Sequence, residues 1–167
     1  ALAGVLATVD RRFAARPRKT RVFVFARRGD SQPYFNLLLN LDRAQAPGVF
    51  VAAPDGSGTI VIDGTRAGSE RIVFHELVHN LLARSGTRLP LWLEEGIAEY
   101  FSSADIRSST ITLGGPIRAH QQNLRVRAII PLTEVFAARH DAPIATDGMF
   151  YAESWALVHY LLLGNPA

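Results

Sequence analysis

The segment 70–84 constrains the fold more than any other, because it combines a buried helix with a polar motif. Apolar residues occupy almost every side of this predicted helix: Ile72, Val73, Phe74, Leu77, Val78, Leu81 and Leu82. A helix of that kind is buried. Ser69 is expected to cap its start and Gly86 to close its end. His75 and His79 are four residues apart within it, so they lie on the same face. The fold must therefore enclose a helix that presents two imidazoles in one direction.

The motif His75-Glu76-Leu77-Val78-His79 has the spacing of a metal-binding site. Two histidines on one helix face can bind the same divalent ion, and the glutamate after the first histidine lies beside that ion. With 5 histidines in 167 residues, the pattern is expected about 0.006 times by chance in a chain of this composition. We therefore expect His75 and His79 to bind one metal ion, with Glu76 as proton acceptor. The alternative is a charged turn of helix that carries two histidines and no metal.

The remaining ligands of such a site must come from His, Glu or Asp. The sequence lacks cysteine, so thiolate metal sites and disulfide bonds are excluded. Two histidines leave a catalytic zinc site one protein ligand short of the usual three. The next predicted helix, Leu91 to Ser102, opens with Pro90 and carries several acidic residues that can supply the third. His120, His140 and His159 lack partners at ligand spacing, and we expect them at the surface or packed in the core.

Gly96 helps to choose among the acidic residues of this second helix. A glycine in a helix interior costs about 1 kcal/mol relative to alanine, which is explained if the helix closely approaches the metal-binding helix there. The adjacent Glu95 would then face the metal. Glu94 lies about 100° around the helix and would be solvated or at the rim, whereas Glu99 lies one turn beyond Glu95 on the same face. A glycine with no packing role is the alternative.

The run Trp92-Leu93-Glu94-Glu95-Gly96-Ile97-Ala98, following the histidine motif, resembles the gluzincin metallopeptidases, the peptidase MA-like branch of the zincins. The 15 residues between the last histidine and the second glutamate are slightly fewer than is typical of that family, which indicates a short turn. The resemblance implies one Zn2+ per chain, bound by His75, His79 and Glu95. It also implies that Glu99 orients His75; the alternative is that Glu95 and Glu99 are a pair of acids on the helix surface.

The same resemblance implies the catalytic roles. Glu76 would act as the general base, taking a proton from the metal-bound water and delivering it to the leaving amine. A tyrosine on a later helix would stabilise the oxyanion, and Tyr151 matches its position. Tyr100 and Tyr160 are weaker candidates, and a plain packing role for Tyr151 is the alternative.

The resemblance extends to the substrate as well. The predicted strand before the motif corresponds to the family's substrate-lining edge strand, so an extended peptide would pair with its backbone. The residues implied are Thr59, Ile60, Val61 and Ile62. The chain has no Gly-x-Met-Glu-Asn-like segment, the family's device for capturing a free N-terminus. The resemblance therefore favours an endopeptidase over an aminopeptidase.

The order of predicted elements favours the α+β class, because strands and helices are segregated along the chain. Besides the two motif helices we expect a helix at Leu2–Ala15, strands at Thr20–Ala26, Gly48–Ala53 and Thr59–Asp63, and helices at Phe35–Arg43, Pro131–Arg139 and Phe150–Leu163. The second and third strands should form a hairpin. Residues 104–127 look irregular, with a possible strand at 110–113. We expect one zincin-like domain over residues 1–167, with a small antiparallel or mixed sheet packed on the metal-binding helix and a mainly helical C-terminal part.

Composition restricts the partners. A hydrophobic content of 48% and a mean hydropathy of +0.09 are typical of a globular protein. No apolar run reaches the length of about 18 residues that a membrane span requires. Eight basic residues fall between Arg11 and Arg28, and a solvated helix face followed by a strand edge explains them. We expect a peptide or protein substrate and no nucleic-acid partner.

The sequence does not specify the cellular compartment of the protein. It begins at Ala1 without a signal peptide, so we expect that a leader or a preceding domain has been removed from a larger parent protein. Family habit favours an exported or periplasmic location. Three functions stay open: a zinc-dependent peptidase, a module that retains zinc and binds peptides without efficient turnover, and an Arg-rich nucleic-acid-binding domain.

Overall fold

A computed structural model describes residues 19–39, 47–55, 57–65, 68–86 and 88–164. These residues form two compact units, divided between Arg88 and Leu89. The first unit combines a sheet with helices and the second is mainly helical, so the predicted α+β class is confirmed. The prediction of a single domain over residues 1–167 stays a prediction. The predicted helix Leu2–Ala15 and the basic residues from Arg11 to Arg18 lie outside the described residues.

The first unit is built on a mixed three-stranded sheet of β1 (Thr20–Phe25), β2 (Gly48–Ala52) and β3 (Gly58–Asp63). Their β-branched and aromatic residues suit a pleated, half-buried surface. The spatial order is β1-β3-β2. β3 is antiparallel to β2, with Gly48 opposite Ile62, which is the predicted hairpin. β3 is parallel to β1, with Thr20 opposite Gly58.

The position of β3 corrects one prediction. Thr59, Ile60, Val61 and Ile62 pair with β1 on one side and with β2 on the other. Their backbone groups are already engaged in the two ladders, so a substrate peptide cannot add beside them. The prediction that these four residues form a substrate-lining edge strand is wrong. Among the described strands, the edges of this sheet are β1 and β2.

Helices cover both faces of the sheet, because side chains alternate along each strand. Helix α1 (Arg28–Leu39) packs on one face, where Phe35 forms a cluster with Val49 and Val61. Helix α2 (Ser69–Ser85), which carries the histidine motif, packs on β2 and β3 from the other face. The motif helix thus rests on a sheet, as predicted.

Helix α1 begins earlier than its predicted start at Phe35. Its first turns are polar and contain Pro33, which is unfavourable inside a helix. This part of the sequence therefore lacks the apolar periodicity that predicts a helix. Asp30 lies in the first turn, where a carboxylate is stabilised by the positive end of the helix dipole. The predicted end of this helix, at Arg43, lies outside the described residues.

The second unit is organised around helix α6 (Gly148–Leu163). Helices α3 (Leu91–Ser102) and α4 (Arg118–Val126) and a short 3-10 helix pack against it, and α5 (Leu132–Ala137) packs on α3. One core cluster consists of Leu91, Val135, Ala145 and Phe150. The predicted helices α3, α5 and α6 are confirmed. In the described part of the chain, no helix is both long and apolar enough to cross a membrane.

The stretch 104–127 is more regular than predicted. It contains a short hairpin of β4 (Asp105–Ile106) and β5 (Ile111–Thr112), followed by the nine residues of α4. The prediction missed α4 because its residues are mostly polar, Arg-Ala-His-Gln-Gln-Asn-Leu-Arg-Val. Only a narrow apolar stripe reveals such a helix in sequence.

Candidate metal centre

Helix α2 sets the direction of the two motif histidines. It begins at Ser69, with Gly68 in the capping position at φ 79° and no side-chain capping bond, so the prediction of Ser69 as the cap is wrong by one residue. It ends, as predicted, at Gly86, which has φ 69° and donates its N–H to the Ala83 carbonyl. The buried part of α2 is confined to its second half, around Val78 and Asn80–Leu82. The histidine face is half-buried, so it is less enclosed than the apolar pattern predicted.

His75 and His79 come together as the four-residue spacing requires. Their Nε2 atoms are 3.0 Å apart, and the ring centroids are 4.8 Å apart with an interplanar angle of 66°. Zn–N bonds are about 2.0–2.1 Å long, so two imidazole nitrogens on one tetrahedral ion are separated by roughly 3.3 Å. The observed separation fits two ligands of one ion with little movement. Without metal, the same approach is a hydrogen bond between the rings.

Glu76 lies against the start of β2. A Cβ placed on Gly48 would lie 3.4 Å from Glu76 Cγ, and it would overlap the side chain of Ile72. The missing side chain at Gly48 therefore lets α2 approach the sheet closely. The aliphatic part of Glu76 packs on this glycine, which limits where the carboxylate can point.

Asn80 was not singled out in the sequence, although it anchors the motif. It is 1% exposed, and its Nδ2 donates to Thr20 Oγ1 on β1 at 2.6 Å. Buried amides are nearly always hydrogen-bonded, so this bond fixes the rotation of α2 on the sheet. The directions of His75 and His79 follow from that rotation. The available signal was one amide among the apolar residues Leu77 to Leu82.

Glu95 lies in the second unit on α3 and is buried, at 8% exposure. The neighbouring Gly96 packs against α6, where a Cβ would overlap the Ser154 carbonyl oxygen and lie 2.7 Å from Val158 Cγ2. The sequence correctly indicated a close approach at this glycine. It named the wrong helix, because the nearest atoms belong to α6 and not to the motif helix. Glycine at 96 thereby keeps α3 and Glu95 close to α6.

Glu99 has a partner that the sequence did not suggest. Its Oε2 is 2.9 Å from His120 Nε2, and the two side chains are only 13% and 10% exposed. His120 lies on α4, the helix missed in the sequence. The prediction that Glu99 orients His75 stays a prediction.

Tyr151 lies in the first turns of α6 and is half-buried, with its ring 6.0 Å from that of Phe150. Tyr100 is buried and packs edge-on against His159. Tyr160 is 66% exposed at the far end of α6. The oxyanion role of Tyr151 stays a prediction.

The other histidines and Glu94 behave as expected. His140 is exposed, and its Nε2 is 3.9 Å from Glu94 Oε2, which is itself near the surface. His159 is packed in the second unit, with its two ring nitrogens each 2.9 Å from a backbone carbonyl oxygen, of Trp155 and Gly114. His120 is packed too. Their predicted placement at the surface or in the core is confirmed.

The start of α6 carries the clearest electrostatic features of the second unit. Hydrogen bonds from the Arg127 guanidinium and the Met149 backbone N–H lower the pKa of Asp147. Burial raises the pKa of Glu153, although the Ile130 N–H donates to its Oε1 at 2.7 Å. Asp147 caps the helix through Met149, and Glu153 fastens the segment before α5 to it. These groups hold the helix that carries Tyr151.

The family match covers the candidate residues but not the three-stranded sheet of the first unit. A family model described as "Protein of unknown function (DUF1570)" matches residues 71–165. The chain belongs to the DUF1570 family. The region that defines DUF1570 in this chain begins in α2 and includes every residue predicted here to bind metal or to act in catalysis. No curated protein and no solved structure matches the chain significantly.

Proposed function

We propose that this DUF1570 protein is a zinc-dependent peptidase that cleaves within peptide chains, with one Zn2+ bound by His75, His79 and Glu95. The observation that carries the proposal is the 3.0 Å approach of the two motif imidazoles on a half-buried helix face. Bound zinc supplies a Lewis acid that lowers the pKa of its water to about 7.

The chemistry of the donor set supports this choice of metal. Each of the three side chains offers one ligand atom, an imidazole nitrogen or a carboxylate oxygen. Two histidines and one glutamate are the ligands of a well-known class of catalytic zinc sites, in which the fourth position stays open for water. A structural zinc would be closed by a fourth protein ligand. His120 and His159, which could supply one, are engaged in hydrogen bonds inside the second unit.

Glu76 would move the protons. It follows the first histidine ligand directly, and its aliphatic part packs on Gly48, which limits its freedom. Its carboxylate would accept a proton from the attacking water and deliver it to the leaving amine. Tyr151 would donate a hydrogen bond to the developing oxyanion, and Glu99 would orient His75.

An extended substrate requires a strand with one edge open, and β2 is an edge strand of the sheet that the described residues form, whereas β3 is its central strand. Pro47 and Ala53 flank β2 and both hydrogen-bond to the β3 side of the hairpin. Hydrogen-bonded pairs alternate along an antiparallel ladder. The backbone N–H groups of Val49 and Val51 therefore point toward β3, while those of Phe50 and Ala52 point away from it. The first residue of β2, Gly48, lies against Glu76. A peptide paired with β2 would therefore run close to the general base.

The decisive experiment compares the wild-type protein with Glu76→Gln, using zinc analysis and cleavage of a fluorescently labelled unstructured protein. We expect both proteins to bind one zinc per chain. Loss of a general base lowers the turnover rate by about 10²- to 10⁴-fold. Glu70→Gln is the matched control, because Glu70 is an exposed acid on the same helix, and it should cleave like the wild type.

Two results would contradict the proposal. One is cleavage that persists in Glu76→Gln. The other is that both proteins retain zinc and neither cleaves any unstructured substrate, which would leave a zinc-containing binding module as the better description.

A further inference from the structure

The second unit contains a buried acid–histidine pair to which the proposed reaction assigns no role as a pair. Glu99 Oε2 and His120 Nε2 are 2.9 Å apart, and both side chains are almost enclosed. A buried polar pair of this kind contributes little more to stability than apolar residues of similar size. Its burial therefore calls for a reason other than stability.

The direction of the hydrogen bond follows from the chemistry of the carboxylate. An ionised carboxylate can only accept, so the hydrogen is on His120 Nε2. The bond holds one oxygen of Glu99 and thereby restrains the rotation of the whole carboxylate. The Ser102 hydroxyl donates to the Glu99 carbonyl at 2.8 Å and lies 3.4 Å from the same Oε2. Glu99 is therefore held at both its backbone and its side chain.

His120 is itself held firmly. It lies in the first turn of α4, which packs on α6, and its ring centroid is 5.7 Å from that of Trp155. The histidine thus transmits the position of α6 to the carboxylate of Glu99. Glu99 in turn lies one helical turn from Glu95, on the same face of α3.

We propose that His120 is a positioning residue of the metal centre, which acts by fixing the carboxylate of Glu99. This rests on the proposed function, in which Glu95 is a zinc ligand and Glu99 orients His75. The hydrogen-bond partners of metal ligands set the direction of the ligands, and their loss typically weakens metal binding about 10- to 100-fold. A partner that is free to rotate performs this task less well. His120 removes that freedom.

The test measures the dissociation constant of Zn2+ by competition with a chromophoric chelator, in the full chain. His120→Leu removes the donor, whereas His120→Gln keeps an N–H at nearly the position of Nε2. We expect His120→Leu to bind zinc more weakly and His120→Gln to restore most of the loss. Glu99→Ala should weaken binding by about 10-fold or more. The double variant Glu99→Ala, His120→Leu should be no weaker than Glu99→Ala alone, because both changes act through one carboxylate.

A stability effect is separated by a matched control. His159 is also packed in the second unit, but both of its ring nitrogens face backbone carbonyls. We expect His159→Leu to lower the melting temperature and to leave zinc affinity unchanged. Circular dichroism and the melting temperature of each variant show which are folded at the temperature of the zinc titration.

Three outcomes are informative. Wild-type zinc affinity in folded His120→Leu would overturn the role of His120 and leave the proposed peptidase untouched. Losses from the two single variants that add in the double variant would show independent effects, and would also overturn it. Absence of zinc binding in the wild-type protein would refute the proposed function itself. The zinc titration of the wild type is done first, so this outcome is distinguished from a failure of the role of His120.

Discussion

His75 Nε2 and His79 Nε2 approach to 3.0 Å on one half-buried face of α2. The approach is made within a single helix, so the relative position of the two imidazoles depends on one hydrogen-bonded backbone segment. The rotation of that segment is fixed by Asn80 and Thr20. Two of the three proposed metal ligands are therefore brought together by local structure, and binding of an ion there would require little rearrangement of the two rings.

Zinc should stabilise the protein, and His79→Ala should abolish the effect. A ligand that binds only the folded state, at a free concentration of about 100 times its dissociation constant, adds about 2.7 kcal/mol to the free energy of unfolding. We expect a chelator to lower the melting temperature and one equivalent of Zn2+ to restore it. Thermal unfolding and elemental analysis measure both. His140→Ala, at an exposed histidine, is the control and should behave like the wild type; a zinc-dependent shift that survives in His79→Ala would contradict the ligand assignment.

Gly96→Ala should destabilise the second unit. The added Cβ would overlap the Ser154 carbonyl and crowd Val158, and overpacking of this kind costs about 1–3 kcal/mol. Gly29→Ala is the control, since no atom lies within 4 Å of a Cβ at that position of α1, and it should stabilise by about 0.4–1 kcal/mol. Urea denaturation measures both changes. Equal effects of the two variants would show that the contact between α3 and α6 is not close.

Asp147→Ala should destabilise α6 in a pH-dependent manner. Loss of an N-cap costs about 1 kcal/mol, and Asp147 also forms two hydrogen bonds with Arg127. Since these bonds lower the pKa of Asp147 in the folded protein, the charged form contributes stability above the unfolded pKa of about 3.9. That contribution is lost as the pH falls through the lowered pKa. The difference between wild type and variant, measured by urea unfolding, should shrink on going from pH 6 to pH 3.

Glu153→Gln should have the opposite pH signature. Burial raises the pKa of Glu153 in the folded protein, so ionisation costs stability as the pH rises from about 4.3, the usual pKa of glutamate, through the raised value. Glutamine retains an oxygen for the Ile130 N–H. We expect the variant to gain stability relative to the wild type between pH 4 and pH 7. A constant difference across that range, in urea unfolding at each pH, would contradict the raised pKa.

Ala52→Pro should weaken substrate binding if β2 pairs with the substrate. Proline removes an outward N–H, and one hydrogen bond is worth about 0.5–1.5 kcal/mol, so KM should rise from about twofold to about tenfold with little change in kcat. The fold should persist, because this N–H does not serve β3. Val51→Pro is the comparison, since the Val51 N–H points toward β3 in the ladder. Loss of that backbone hydrogen bond should lower stability. An unchanged KM in Ala52→Pro would exclude substrate pairing at this strand.

Local signals in the sequence were sufficient for most elements. The β-branched runs at 20–25, 48–52 and 58–63 gave strands within a residue or two of their observed ends. The apolar pattern around the histidine motif predicted α2, and Pro90 predicted the start of α3. These features depend on short-range conformational preference and on periodicity, both of which can be read within a window of about ten residues.

The errors share a different physical origin. The pairing of β1 with β3 joins segments far apart in sequence, and no local pattern specifies it. The contact that requires Gly96 to be glycine is made by α6, more than fifty residues later. The contact of His120 with Glu99 was not predicted, because His120 lies on a mostly polar helix and its partner is 21 positions away. Long-range contacts of this kind depend on how the elements pack, which one sequence does not encode in any readable repeat.

The hydrogen bond between Asn80 and Thr20 has a practical consequence for protein engineering. It joins residues separated by 60 positions in the chain, so the orientation of the two imidazoles depends on a strand that lies far from the motif in sequence. A design that transplanted the five-residue motif onto an unrelated helix would copy the two histidines without the amide that orients them. A graft would need that asparagine and an acceptor beneath it as part of the transferred piece.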